Sequence, residues 1–147
     1  MTTTLDKPVP DTANVSLEMR VVPYLSVDDG VAALDFYAQA FGAETLERYE
    51  HEGKLGHATL RINGGILMLA DEFPDPDDQI GNVSPKTLNN RTTSTVNLNV
   101  EDADAWFDRA IAAGAEPIRP CRDEFFGRHG KLRDPFGHVW SIVALKR

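Results

Sequence analysis

Four histidines, His51, His57, His129 and His138, are the side chains best suited to move a proton near neutral pH, since a free imidazole titrates at about 6.5. None sits at short range from another ligand in a recognisable metal-binding motif. His57 is different in another way. It opens the alternating run His57-Ala-Thr-Leu-Arg61, and on a strand residues 57, 59 and 61 share one face. That face would carry a general base or ligand contact (His57), a hydroxyl (Thr59) and a cation able to hold a carboxylate or phosphoryl group (Arg61). The same alternation puts Tyr24 beside Val22 and Ser26, Thr95 beside Asn97 and Asn99, and Ser141 between Val139 and Val143. Phe125, in Phe125-Phe126-Gly127 ahead of a predicted strand, is an aromatic side chain able to stack on a planar molecule. Each residue also has a plainer role. His57 can be a hydrogen-bonded wall residue, Arg61 can pair with one of the 23 acids at a rim, and Tyr24 and Phe125 can simply pack.

The chain that must position these groups has 147 residues, 41% of them hydrophobic and 26% charged, with 15 Lys and Arg against 23 Asp and Glu. Such a composition is globular. A formal charge of −8 argues against sequence-independent binding to nucleic acid and against docking on anionic lipid. A single cysteine, Cys121, cannot form an intramolecular disulfide and excludes a cysteine-rich zinc site. No run approaches the ~20 apolar residues of a membrane span, and the start of the chain lacks the apolar core of a signal peptide. A reducing, cytoplasmic setting is therefore expected.

The chain repeats itself. Leu25-Ser-Val-Asp-Asp29 returns 73 residues later as Leu98-Asn-Val-Glu-Asp102, a strand end followed by two acids. Helical spacing follows each time: Val31, Leu34, Ala38 and Phe41 in the first copy, and Ala103, Trp106, Phe107, Ala110 and Ile111 in the second. Asp28 and Asp102 are predicted N-caps. Gly42-Ala-Glu44 and Gly114-Ala-Glu116 are predicted to close the helices. Strands are predicted at 45–52, 54–62, 66–70, 116–120, 130–133 and 138–145, and Gly53-Lys-Leu55 recurs as Gly130-Lys-Leu132. The organisation is a loosely held arm (1–19), a first strand–helix–three-strand module (20–72), a connector (73–92) and a second module (93–147). The acids at 71, 72, 75, 77 and 78 read as a solvated run. Halves of ~50 residues bury too little to stand alone and must share a core.

These stretches resemble the vicinal oxygen chelate superfamily of glyoxalases, bleomycin- and fosfomycin-resistance proteins and extradiol dioxygenases. The PhnB-like branch is the nearest in pattern. The resemblance rests on Val22-Pro-Tyr-Leu-Ser-Val-Asp28, Leu34-Asp-Phe-Tyr37, Ala40-Phe-Gly-Ala43, Gly56-His-Ala58, Met68-Leu-Ala-Asp-Glu72, Ser84-Pro85 and Asp134-Pro-Phe-Gly-His-Val-Trp140. It implies an α+β fold in which two βαβββ modules form a curved mixed sheet around a shared cavity, and it implies a homodimer. It also implies four places where metal-dependent members carry His, Gln or Glu. Here those places fall on Val22, Thr95, Ser141 and, counting less surely, near Thr59. These are poor ligands for zinc, nickel or iron, so no metal and no cofactor are expected.

Two functions follow. In the first, a small polar or planar organic molecule binds in the cavity without a divalent metal, against Tyr24, His57, Thr59, Arg61, Thr95, Asn97, Phe125 and Ser141. In the second, the chain is an enzyme of the same superfamily (a lyase, isomerase or resistance transferase) with His57 as base and Arg61 as anion clamp, with or without an atypical metal site. The residues alone leave both open.

Overall fold

The computed structural model describes residues 21–73 and 82–147. The arm at 1–19 and the acids Asp75, Asp77 and Asp78 lie outside the described residues. In chain order the elements are β1 (Tyr24–Val27), α1 (Gly30–Phe41), β2 (Glu44–His51), β3 (Lys54–Ile62) and β4 (Gly65–Asp71). A 3-10 turn at Pro85–Leu88 follows, then β5 (Thr95–Asn99), α2 (Ala103–Ala113), β6 (Glu116–Glu124), β7 (Gly127–Arg133) and β8 (Val139–Leu145). They build two four-stranded sheets, ordered β1-β4-β3-β2 and β5-β8-β7-β6. In each, the first strand lies parallel to the last and the remaining pairs are antiparallel. The fold is α+β, made of two βαβββ modules. Among the described residues no helix is long and apolar enough to cross a membrane.

Local chemistry explains the helix limits. Asp29, not Asp28, caps α1, accepting from the Ala32 N–H at 3.1 Å, while Asp102 caps α2 through the Ala105 N–H at 3.1 Å. Gly42 ends α1 in the left-handed conformation (φ 65°) and returns its N–H to the Ala38 carbonyl. The buried face of α1 is Ala33, Leu34, Phe36, Tyr37, Ala40 and Phe41. Ala38, placed on the apolar stripe by spacing, is exposed. Phe36 and Tyr37 take its place because α1 packs against both modules, which widens its apolar face.

One core serves both halves. Phe41 stacks near Trp140 at 4.5 Å between ring centroids, and Phe36 meets Phe136 at 6.1 Å. Arg109 of α2 donates to the Gln39 carbonyl at the end of α1 (2.7 Å). Two buried carboxylates fix the geometry. Asp71 accepts from the backbone N–H groups of Gly30 (2.8 Å) and Leu55 (2.7 Å), so it is a bracket between α1 and β3 and not part of a solvated run. Asp134 accepts from the Tyr37 hydroxyl (2.5 Å), the Trp140 indole (2.9 Å) and the N–H groups of Phe136 and His138. Burial, then the charge and hydrogen bond of Asp134, holds the Tyr37 hydroxyl far above its ordinary pKa.

Strands β6 and β7 are longer than their patterning predicts. They run to a hairpin tip, and Phe125 and Phe126 form the tight turn between them.

Candidate functional site

Strand β3 directs His57 and Thr59 to the face opposite the helix, while Ala58 and Leu60 are fully buried against it. Pairing then sets a row across the sheet: Tyr24 beside Met68, Met68 beside Thr59, Thr59 beside Glu47. Glu47 reaches that row because of a bulge. Thr45 pairs with Leu60 and Glu47 with Thr59, leaving Leu46 as the extra residue. Such an insertion re-aims the side chains that follow.

The result is a continuous polar chain. The Tyr24 hydroxyl lies 2.7 Å from His57 Nδ1, and His57 Nε2 lies 2.9 Å from Thr59 Oγ1. Thr59 Oγ1 donates to Glu47 Oε2 at 3.2 Å. The donor count assigns the tautomer. Thr59 has one proton and gives it to Glu47, so it accepts from His57 Nε2–H. In the neutral ring Nδ1 is then bare and accepts the Tyr24 O–H. Thr59 is wholly buried, whereas Tyr24 is 53% exposed, so the chain runs from the interior outward. Partial burial raises the Tyr24 pKa. A cleft of about 180 Å³ opens beside Tyr24, lined also by Ser26, Leu88, Thr93 and His138.

The second sheet carries the matching row: Asn97, Ser141, Lys131, Arg119. Its members stand 72 or 73 residues after Tyr24, Met68, Thr59 and Glu47, and His129 stands 72 after His57. A second bulge, at Ile118, lies between Pro117–Leu132 and Arg119–Lys131. By this register Gly130 matches Ala58, so the recurrence of Gly53-Lys-Leu55 at Gly130 is not the structural repeat. His129 Nδ1 lies 2.6 Å from Arg119 Nη2, and its Nε2 lies 3.1 Å from Ser141 Oγ. Burial first, then the neighbouring Arg119 and Lys131, holds the His129 imidazole below its ordinary pKa.

The remaining candidates fall elsewhere. Arg61 is engaged by Glu44 at 3.3 Å. Its role as a free anion clamp is therefore replaced by the rim pairing. Asn97 donates to the Asn99 side chain (2.9 Å) and Thr95 is exposed. Phe125 is 90% exposed at the hairpin tip, edge-on to Phe126 at 5.2 Å, and covers none of these groups. His57 and His129 each bond within their own sheet, while His138 Nε2–H donates to the Ser26 carbonyl at 2.8 Å, a contact between the modules. Cys121 faces α2, and burial with Asp104 nearby pushes its thiol pKa up, away from nucleophile character. Simple alternation along β2 and β6 puts Leu46 and Ile118 in the places that Glu47 and Arg119 take.

The metal question can be put to these positions. The register that joins Asn97 to Ser141 joins Tyr24 to Met68, so Met68, not Thr59, matches Ser141. The four places are Val22, Met68, Thr95 and Ser141, and the Ser141 hydroxyl is already engaged by His129. That donor set does not fit a divalent transition metal. Among the described residues no three His, Cys, Asp or Glu side chains come together.

The family model described as "Glyoxalase/Bleomycin resistance protein/Dioxygenase superfamily" matches residues 19–142. The chain belongs to that superfamily. It is 43% identical over 136 residues to the uncharacterized protein Rv0887c of Mycobacterium tuberculosis, covering 90% of this chain and 78% of that one. TioX from Micromonospora sp. ML1 superposes with a TM-score of 0.69 at 29% identity, over 86% of this chain and 98% of its own. The fosfomycin resistance protein FosX from Listeria monocytogenes, solved with Mn(II), shares the fold alone at 19% identity. Its TM-score is 0.60, over 85% of this chain and 88% of its own.

Proposed function

We propose that this superfamily member binds a small polar or planar organic molecule against its sheet faces, without a divalent metal, as a homodimer. The observation that carries this reading is the pairing of a donor-poor set, Val22, Met68, Thr95 and Ser141, with an ordered polar chain next to it that ends at the exposed Tyr24 hydroxyl. A cleft of about 180 Å³ beside Tyr24 is smaller than the ~300 Å³ or more that encloses a drug-sized ligand. A second wall from another copy would complete it, which supports the dimer.

The test has two arms. Elemental analysis of untagged protein should find no stoichiometric metal. Titration calorimetry should show no binding of Mn(II) or Ni(II), and binding of at least one of metal-free bleomycin, fosfomycin or small aromatic carboxylates. Tyr24→Ala should weaken that binding. Tightly held, stoichiometric nickel, zinc, iron or manganese would overturn the reading.

One observation favours an enzyme as the second reading. His57 presents a bare Nδ1 to the Tyr24 hydroxyl while Thr59 and Glu47 back its other nitrogen, an arrangement suited to relaying a proton. Under that reading His57→Ala abolishes turnover and leaves the fold intact, and Arg61 takes no part.

A further inference from the structure

The two sheets carry the same row with its charge inverted. Glu47 of the first is Arg119 in the second, Thr59 is Lys131, and His57 is His129. In the first sheet the histidine leans on a carboxylate. In the second it leans on a guanidinium. The outer pair, by contrast, is unchanged: Glu44 pairs with Arg61 as Glu116 does with Arg133 in strand register. The outer pair therefore keeps its charges while the row beside the histidine does not.

Charge makes this cluster unusual. The protein is rich in acids, and Arg48, Arg61, Arg122 and Arg128 each hold a carboxylate. Half-buried Arg119 instead donates to His129 Nδ1 and to the His129 carbonyl (3.4 Å). Among the described residues the side chain of Lys131, also half-buried, forms no hydrogen bond or ion pair. Two cations at paired strand positions, partly removed from water and neither holding a carboxylate, favour an incoming anion. Arg119 offers a planar fork and Lys131 a point charge, and Ser141 stands beside Lys131 on β8.

We infer that Arg119 and Lys131, flanked by His129 and Ser141, form an oxyanion subsite that receives a carboxylate or phosphoryl group of the bound molecule. This deepens the ligand-binding reading and rests on it.

The experiment is thermal unfolding of the full chain in inorganic phosphate, in acetate and in sodium chloride at matched ionic strength. The midpoint should rise in phosphate or acetate above the chloride value. Phosphate alone assigns a phosphoryl preference, and acetate as well assigns a carboxylate. Lys131→Gln should lose the rise, and Arg61→Gln should keep it. Phosphate also stabilises proteins without binding them, so a Lys131→Gln protein that responds like the parent overturns the subsite. Arg119→Gln should lose the rise too, with Arg119→Lys as the rescue if the glutamine variant folds poorly. Bleomycin and the aromatic carboxylates separate this claim from the broader one. If they bind parent and Lys131→Gln equally, the subsite fails and the ligand reading stands; if none of the probes binds the parent, the ligand reading fails.

Discussion

Thr59 decides the state of His57. Its single hydroxyl proton goes to Glu47, which leaves the imidazole to donate from Nε2 and accept at Nδ1. Thr59→Val keeps the shape and removes both bonds. It should cost about 1–3 kcal/mol in denaturant unfolding, the range for leaving buried partners unsatisfied. Long-range proton–nitrogen spectra of the parent should show the Nε2–H tautomer of His57, and the variant should lose that preference. Glu72 makes a second residue-scale prediction. Desolvation raises its pKa, but hydrogen bonds from Ser84 and Thr87, then the Lys54 charge, outweigh this and lower it overall. Ser84 Oγ and Thr87 Oγ1 donate to one oxygen at 2.5 and 2.6 Å. A depressed carboxyl stabilises fully above its unfolded value of about 4.5 and loses that contribution as pH falls through the lower folded value. Glu72→Gln should therefore flatten the loss of thermal stability below about pH 4.5, read as unfolding midpoint against pH.

At the scale of elements, the start of α1 is pressed onto β3. A Cβ at Gly30 would sit 2.4 Å from the Leu55 Cβ, a backbone-proximal atom that cannot swing away. Gly30→Ala should destabilise by about 1–3 kcal/mol, and adding Leu55→Ala should not restore the parent, since the Cβ remains. The bulges are the other element-scale device. Deleting Leu46 would leave Thr45–Leu60 and Glu47–Thr59 as consecutive regular pairs, so Glu47 should keep its place opposite Thr59. The expected readout is an unchanged His57 tautomer preference with the helical signal in far-ultraviolet dichroism retained. Loss of that preference would show that the row depends on the bulge itself and not on the pairing of Glu47 with Thr59.

At the scale of the molecule, the modules are bound through Asp134. The Tyr37 hydroxyl from one half and Trp140 from the other converge on it, together with two backbone N–H groups. Asp134→Ala strands these buried donors. It should cost about 3 kcal/mol or more, since each unsatisfied buried group costs ~1–3 kcal/mol. Because the aromatic core is shared, denaturant unfolding of the parent should be one transition by tryptophan fluorescence and by far-ultraviolet dichroism. Two separated transitions would mean that the halves are independently stable.

Periodicity and punctuation reach a long way in this chain. The duplicated strand end, the glycines at 42 and 114 and the Asp134-Pro-Phe-Gly turn were enough to read two βαβββ modules, because these features depend on backbone conformations local to a few residues. The placement of His57, Thr59 and Ser141 on the sheet faces away from the helices was legible for the same reason: side chains alternate along a regular strand. Where a strand is irregular, counting fails. The bulges at Leu46 and Ile118 hid Glu47 and Arg119, and only pairing between strands showed which residues share a row. Arg61 took Glu44 across the sheet, and Asp71 became a buried bracket, through contacts 17 and 41 residues apart. Charge inversion between the two rows was likewise invisible, since it needs the register of both sheets at once. Local sequence sets which way a chain turns, while the partner of each polar group is chosen by segments that meet only when the sheets have formed.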